Sequence, residues 1–161
     1  MAKYWYVLNC KSNKGHIVQQ QLQSQGFEVF YPLADSHQGK TGRLQLKPYF
    51  PGYLFVRVDL QVFSLSTFQW MPNTEGLVCF GSKPAYVPDT LIQAISRHVR
   101  EISGNGENPT EQPAYLVHPV KWEVPEDGSG TIFNPSLSSD ERVKELLRVL
   151  EGMSIPPHLG D

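Results

Sequence analysis

The stretch KPYFPGYLFVRVD, residues 47–59, decides the fold of this 161-residue chain. Its second half is aromatic and β-branched, which predicts the strongest strand of the chain and a central place in a sheet. Because side chains alternate along a strand, Tyr53 and Phe55 share one face. Leu54 and Val56 share the other. Two opposite apolar faces predict two buried surfaces, one of which needs a helix, a second domain or a partner to cover it.

The elements around this strand predict an α+β domain with an antiparallel sheet flanked by helices, not a doubly wound sheet. A polar, glycine-containing stretch over 34–47 predicts a long hairpin-like loop with a short strand at its end. Asp89 is a suitable N-cap for the last helix of this half. The other expected elements are strands at 4–8, 28–31, 77–80 and 84–87, and helices over 14–25, 60–70 and 89–101.

Composition divides the chain into a basic front and an acidic back. Residues 103–114 hold no large apolar side chain and predict a linker between a domain at 1–102 and a region at 115–161. Residues 1–105 carry ten Lys and Arg against six Asp and Glu, whereas the rest of the chain carries four against ten. The net charge of −2 therefore averages two halves of opposite sign.

The acidic back contains a well-signalled helix at about 138–151. Ser138 and Glu141 have the spacing of a capping box, and Gly152 follows the expected end. An apolar stripe at helical spacing is formed by Val143, Leu146, Leu147 and Leu150.

Several classes of protein are excluded by what the sequence contains. Its apolar runs are much shorter than the ~18 residues of a membrane span, and it has no signal-peptide pattern, so we expect a cytoplasmic protein. Cys10 and Cys79 are too few for a disulfide framework or a zinc site. Cys10 and His16 lack an orienting third group, and the histidines have no metal-ligand spacing. We expect no catalytic residue, no metal and no cofactor, and therefore not an enzyme.

The motifs of the front domain resemble the N-terminal domain of the NusG family of transcription elongation factors, the NGN domain. They are WYVL at 5–8, Lys11, the stretch 47–59 and GLVCFGSKPAYVPDTLI at 76–92. The resemblance spans residues 4–101 and implies a four-stranded antiparallel sheet flanked by helices. The short length and altered back are more similar to specialised RfaH-like paralogues than to housekeeping NusG.

This resemblance implies RNA polymerase as a partner. In the family, an apolar groove grips the clamp helices, and the opposite edge meets the gate loop across the DNA cleft. A factor that binds the closed polymerase better shifts the enzyme toward that state, which suppresses pausing or termination. The gate-loop contact would fall at Ser64, Ser66 and Thr67, where RfaH-like members have His-Thr-Thr. The clamp-helix groove would include Phe50, Pro51, Tyr53, Phe55 and Phe80.

The resemblance also places Lys11, Lys14, His16 and Gln21 toward the non-template DNA strand. Lysine suits phosphate contacts and glutamine suits base edges. Arg43 adds positive charge that could face a phosphate backbone, although a solvated charged face is the simpler interpretation. A second functional hypothesis is a free-standing nucleic-acid-binding module of the same fold that has lost its polymerase role.

The back of the chain departs from the family pattern. Residues 117–130 read VHPVKWEVPEDGSG, without the Gly-Asp and G-P-F-x-G motifs of a KOW domain. We interpret 115–161 as a degenerate KOW-like region, so contacts with a ribosomal protein or Rho are not assumed. In RfaH-type paralogues this tail folds back over the polymerase-binding face. Here the predicted helix could pack on the groove at Tyr53 and Phe55, on residues 115–133, or on a second copy.

Overall fold

The computed structural model describes residues 3–37, 44–102, 132–133 and 136–152. Within them the chain forms nine strands and four helices. In chain order these are β1 (Tyr4–Cys10), α1 (Gly15–Ser24), β2 (Glu28–Phe30), β3 (Leu33–His37), β4 (Leu44–Pro48), β5 (Tyr53–Val58), α2 (Leu65–Gln69), β6 (Thr74–Leu77), β7 (Cys79–Phe80), β8 (Lys83–Pro84), β9 (Tyr86–Val87), α3 (Asp89–Ile102) and α4 (Ser139–Glu151).

The main sheet is antiparallel, with strand order β2-β5-β1-β6 and the short β9 also paired with β1. The strand predicted from residues 53–58 is β5, and it lies between β1 and β2 as expected. Val7 of β1 and Phe30 of β2 both stand opposite Phe55. The predicted α+β class, an antiparallel sheet flanked by helices, is confirmed.

The two faces of β5 belong to two separate cores. Phe55 lies on what we name the first face, with Trp5 and Val7 of β1 and the apolar side of α3. Leu54 and Val56 lie on the second face, which α1 and α2 cover. The alternation read from the sequence therefore separates the sheet into two apolar surfaces, each buried by helices.

A close contact fixes the start of α1. Gly15 is buried against the ring of Tyr31, and a Cβ at this position would overlap the Tyr31 hydroxyl. At the other end Gly26 has φ +87°, a left-handed conformation that glycine adopts without a steric cost. The predicted helix at 14–25 is therefore found as Gly15–Ser24, with the expected glycine after it.

Two predicted elements differ from the structure in length. The interval 34–47 holds most of a regular hairpin, β3 paired with β4, where a loop with one short strand was expected. The helix predicted over 60–70 is only Leu65–Gln69. A turn replaces its first part, because the Asp59 carboxylate accepts the backbone N–H of Gln61 at 2.9 Å and thereby competes with helix formation.

The strand predicted at 77–80 is divided between two sheets. Leu77 ends β6 on the main sheet, whereas Cys79 and Phe80 form β7, which pairs with β8. Val78 stands between them, donating its N–H to Val7 and accepting the N–H of Ala85. The extended conformation predicted for this apolar run is found, but a sequence pattern of period two contains no signal for a change of pairing partner.

Candidate functional site

The predicted groove residues come together on the first face. Phe50 and Phe55 are fully buried, with ring centroids 6.0 Å apart in an edge-on arrangement. Phe30 stacks against Phe55, with ring centroids 5.8 Å apart. Tyr53 and Phe80 are half-buried and pack against the same cluster, whereas Pro51 is exposed. Four of the five predicted residues therefore form one aromatic surface, with Pro51 at its border.

The C-terminal helix α4 packs on this aromatic surface. Leu146, Val149 and Leu150 are buried in the same cluster as Phe50 and Phe55. Of the packing sites left open by the sequence, the first face is one that α4 contacts, and Ile132 of the interval 115–133 is buried in the same cluster. Leu147, predicted to belong to the apolar stripe, is only half-buried and lies outside the cluster, and Val149 lies inside it instead.

The N-terminus of α4 has the capping box expected from the sequence. The Ser138 hydroxyl accepts the backbone N–H of Glu141 at 3.3 Å, and the Glu141 carboxylate accepts the backbone N–H of Ser138 at 2.8 Å. These two bonds satisfy N–H groups that a helix end otherwise leaves unpaired. Hydrogen bonding to the Glu141 carboxylate, first from the Ser138 backbone N–H and then from its side chain, lowers the pKa of Glu141. The helix therefore starts at a defined residue.

Two residues that sequence reasoning did not select connect α4 to the front domain. Arg142 donates from Nη1 to the Tyr49 carbonyl oxygen at 3.0 Å, and its guanidinium carbon lies 3.9 Å from the centroid of the Tyr49 ring. The Tyr49 hydroxyl donates to the carbonyl oxygen of Ile132 at 3.0 Å. Burial raises the pKa of Tyr49, and the Arg142 charge partly offsets that rise. The only sequence signal was the position of Tyr49 beside Phe50.

The second predicted contact surface lies at the start of α2, on the opposite side of the sheet. Ser64 and Ser66 are exposed, and Thr67 is half-buried. The Ser64 hydroxyl is 2.7 Å from that of Ser66 and 3.4 Å from that of Thr67. The three hydroxyls therefore form one small hydrogen-bonded cluster, with the exposed side chains of Leu65 and Trp70 beside it.

Three of the five predicted DNA-facing residues lie around the N-terminus of α1. Lys11, Lys14 and His16 are all exposed, and Lys14 is the N-cap residue. The first turn of the helix has no acidic side chain. Because the N-terminal end of a helix dipole is positive, this end of α1 is electropositive overall.

One further predicted DNA-facing residue is described, and it is less favourably placed. Gln21 is half-buried, whereas Gln20 and Gln23, which the sequence interpretation passed over, are exposed on α1. Helical spacing places Gln20 and Gln23 on the same side as His16, four and seven residues earlier. Arg43 lies outside the described residues.

The cysteines have no catalytic arrangement in the described part of the chain. Cys10 is buried, and desolvation, with a smaller contribution from Glu75, raises its pKa to about 12. Cys79 is exposed, and partial burial raises its pKa also. Among the described residues, no group of three or more His, Cys, Asp or Glu could hold a metal ion.

These environments predict selective thiol labelling. At pH 8 an alkylating reagent should modify Cys79 in the native protein and leave Cys10 unmodified, because only the thiolate reacts and Cys10 is both buried and held protonated. Unfolding in denaturant should make both thiols reactive. Peptide mass spectrometry measures this, and rapid native labelling of Cys10 would contradict it.

A comparison with known protein families gives the identity of the front domain. Residues 3–96 match the family described as "Transcription termination factor nusG". The chain belongs to the NusG family. NusG proteins are transcription elongation and termination factors that interact with RNA polymerase, and the family is not one of enzymes.

A solved structure from Thermotoga maritima, "Domain interaction in Thermotoga maritima NusG", is similar to this chain at 22% sequence identity and a TM-score of 0.41. The alignment covers 77% of this chain and 67% of that chain. Within the described residues of this NusG-family protein, no helix is long and apolar enough to cross a membrane.

Proposed function

We propose that this NusG-family protein binds RNA polymerase through the first face and suppresses pausing or termination, as an RfaH-like factor. One observation carries the proposal: Phe50 and Phe55 are fully buried in one cluster with Leu146, Val149 and Leu150 of α4. The cover therefore comes from a helix separated from the front domain by residues 103–138 of the sequence. A surface covered by a distant helix can be uncovered without unfolding the sheet beneath it.

In this proposal α4 occupies the site that polymerase would use. Aromatic side chains in a desolvated cluster are typical of the residues that dominate binding energy at protein interfaces. When α4 leaves, Phe50, Tyr53, Phe55 and Phe80 become available to a helical partner such as the clamp helices. The apparent affinity for polymerase then depends on the fraction of molecules in which α4 is undocked.

The other predicted contacts extend this proposal across the transcription complex. The hydroxyl cluster of Ser64, Ser66 and Thr67 lies on the opposite side of the sheet and would meet the gate loop. Lys11, Lys14 and His16 would face the non-template strand, where exposed positive charge favours phosphate contacts. By bridging two parts of the polymerase, the factor would favour the closed, processive state without making or breaking a covalent bond.

Substituting Tyr53 with alanine tests the proposed groove. We expect polymerase binding to weaken about 30-fold or more, since a hot-spot tyrosine contributes about 2 kcal/mol or more. Tyr53 also packs in the cluster that holds α4. Loss of that packing would uncover the groove and raise affinity, so a fall in affinity cannot come from undocking.

Tyr86→Ala is the matched control, because Tyr86 is also half-buried but packs on the second face. Its polymerase affinity should stay near that of the unmodified protein. Affinity is measured by titrating polymerase with labelled full-length chain, in parallel with a single-stranded DNA. If neither variant loses polymerase binding and DNA affinity accounts for all of the interaction, the free-standing nucleic-acid module is the better description.

A further inference from the structure

Three contacts converge on Tyr49 and join the front domain to both described parts of the C-terminal region. Its carbonyl oxygen accepts from Arg142, its ring lies under the Arg142 guanidinium, and its hydroxyl donates to Ile132. The ring of His98 on α3 lies 5.7 Å from that of Tyr49 and 4.6 Å from that of Phe133. Tyr49 is therefore contacted both by the C-terminal region and by α3.

We propose that Tyr49 and Arg142 form a latch that holds α4 on the first face. The leucine and valine contacts of α4 supply burial, but apolar contacts have no preferred direction. The Arg142 contact is directional, because it requires a guanidinium plane over one ring and a nitrogen aimed at one carbonyl oxygen. Arg142 lies in the first turn of α4, directly after the capping box, where this contact fixes the rotation of the whole helix.

The latch is in direct contact with the proposed binding site. The Tyr49 ring packs edge-on against Phe50 with centroids 4.9 Å apart, and Phe50 packs edge-on against Phe55. The latch residue is thus the first member of the aromatic series that a partner would contact. The latch itself is a property of the isolated chain. Only its effect on polymerase affinity rests on the proposed function.

The chemistry of the latch differs from that of a salt bridge. Within the described residues, no carboxylate lies within 4.0 Å of Arg142, and its Nε is buried without a hydrogen-bond partner. The side chain therefore uses its planar shape and one of its donors, and leaves another donor unsatisfied. Lysine has the charge but neither the plane nor the fork of donors, so it cannot replace arginine here.

The experiment uses the full chain without polymerase and follows amide hydrogen exchange in α4. An undocked helix of 13 residues is marginal in water, so its exchange rate reports undocking. In the Arg142→Lys variant, α4 amides should exchange about tenfold faster, because a cation–π contact and a charge-assisted hydrogen bond are lost. Tyr49→Leu should give an increase of similar size, with α1 amides unchanged in both variants.

Arg148→Lys is the matched control on the same helix, because Arg148 bonds Glu145 and lies at the exposed side of α4. Its exchange should change by less than about twofold, as expected for an exposed ion pair. In the double variant Tyr49→Leu with Arg142→Lys, the fold-increase in the exchange rate of α4 amides should be smaller than the product of the two single increases. The latch would be overturned if the double variant's increase in exchange rate equalled the product of the two single increases, or if Arg142→Lys left the exchange rate of α4 unchanged. Faster exchange with unchanged polymerase affinity would support the latch and reject polymerase masking.

Discussion

A Leu146→Asp variant should bind RNA polymerase at least about tenfold more tightly than the unmodified protein. Leu146 is fully buried between α4 and the first face. Removing a buried leucine costs about 2–5 kcal/mol, and an unpaired carboxylate in its place adds a desolvation penalty. Both effects act on the docked state alone, because solvent surrounds the side chain once α4 has left. The undocked fraction rises, and with it the apparent affinity.

The control for this result is Leu147→Asp, which makes the same chemical change one residue away. Leu147 is half-buried and lies outside the first-face cluster, so its affinity should stay close to that of the unmodified protein. Titration of polymerase with each full-length variant gives the two dissociation constants. Equal or weaker binding by Leu146→Asp would show that α4 does not compete with polymerase.

A Phe68→Ala variant should lose about 3–5 kcal/mol of its free energy of unfolding. Phe68 is the fully buried side chain by which α2 attaches to the second face. Its carbonyl oxygen also accepts the Thr74 hydroxyl, and that hydroxyl lies 2.7 Å from the carbonyl oxygen of Met71 as well. Alanine keeps this backbone carbonyl oxygen, so the expected loss comes from the cavity that the phenyl ring leaves on the second face. Urea denaturation followed by circular dichroism measures the change.

Phe63→Ala provides the comparison. Phe63 and Phe68 both contact Phe27, with ring centroids 4.9 and 5.6 Å away. Phe63 is 39% exposed, so its loss should cost about 1 kcal/mol, the value of an aromatic pair without full burial. Similar losses for the two variants would mean that contact with Phe27, not burial on the second face, determines the stability of α2.

The fold was largely predictable because the pattern of β5 carries most of it. Alternation at residues 53–58 assigned Tyr53 and Phe55 to one face and Leu54 and Val56 to the other, and each pair lies in a different core. The pairing of the shorter strands was harder to predict from the sequence. The hairpin of β3 with β4 depends on the register between its two strands, and the glycine-containing stretch indicates a hairpin-like loop without fixing that register.

The site could be predicted only as separate halves. The groove residues followed from the resemblance, and the helix near 138–151 followed from its caps and period. The contact of Arg142 with Tyr49 joins residues 93 apart, and no local pattern encodes such a pair. Leu147 and Val149 exchanged roles for a related reason: the side of α4 that faces the sheet depends on the docking angle, which the helical period alone does not fix.

The position of α4 in the sequence has a consequence for the protein as it is being made. Translation adds about 5–20 residues per second, so the 50 residues from the end of α3 to Gly152 take about 2.5–10 seconds. During that interval β5 and its aromatic neighbours have been synthesised, but the helix that covers them has not. Every newly made molecule therefore passes through a period in which α3 is present but the part of the first face that α4 covers is still open.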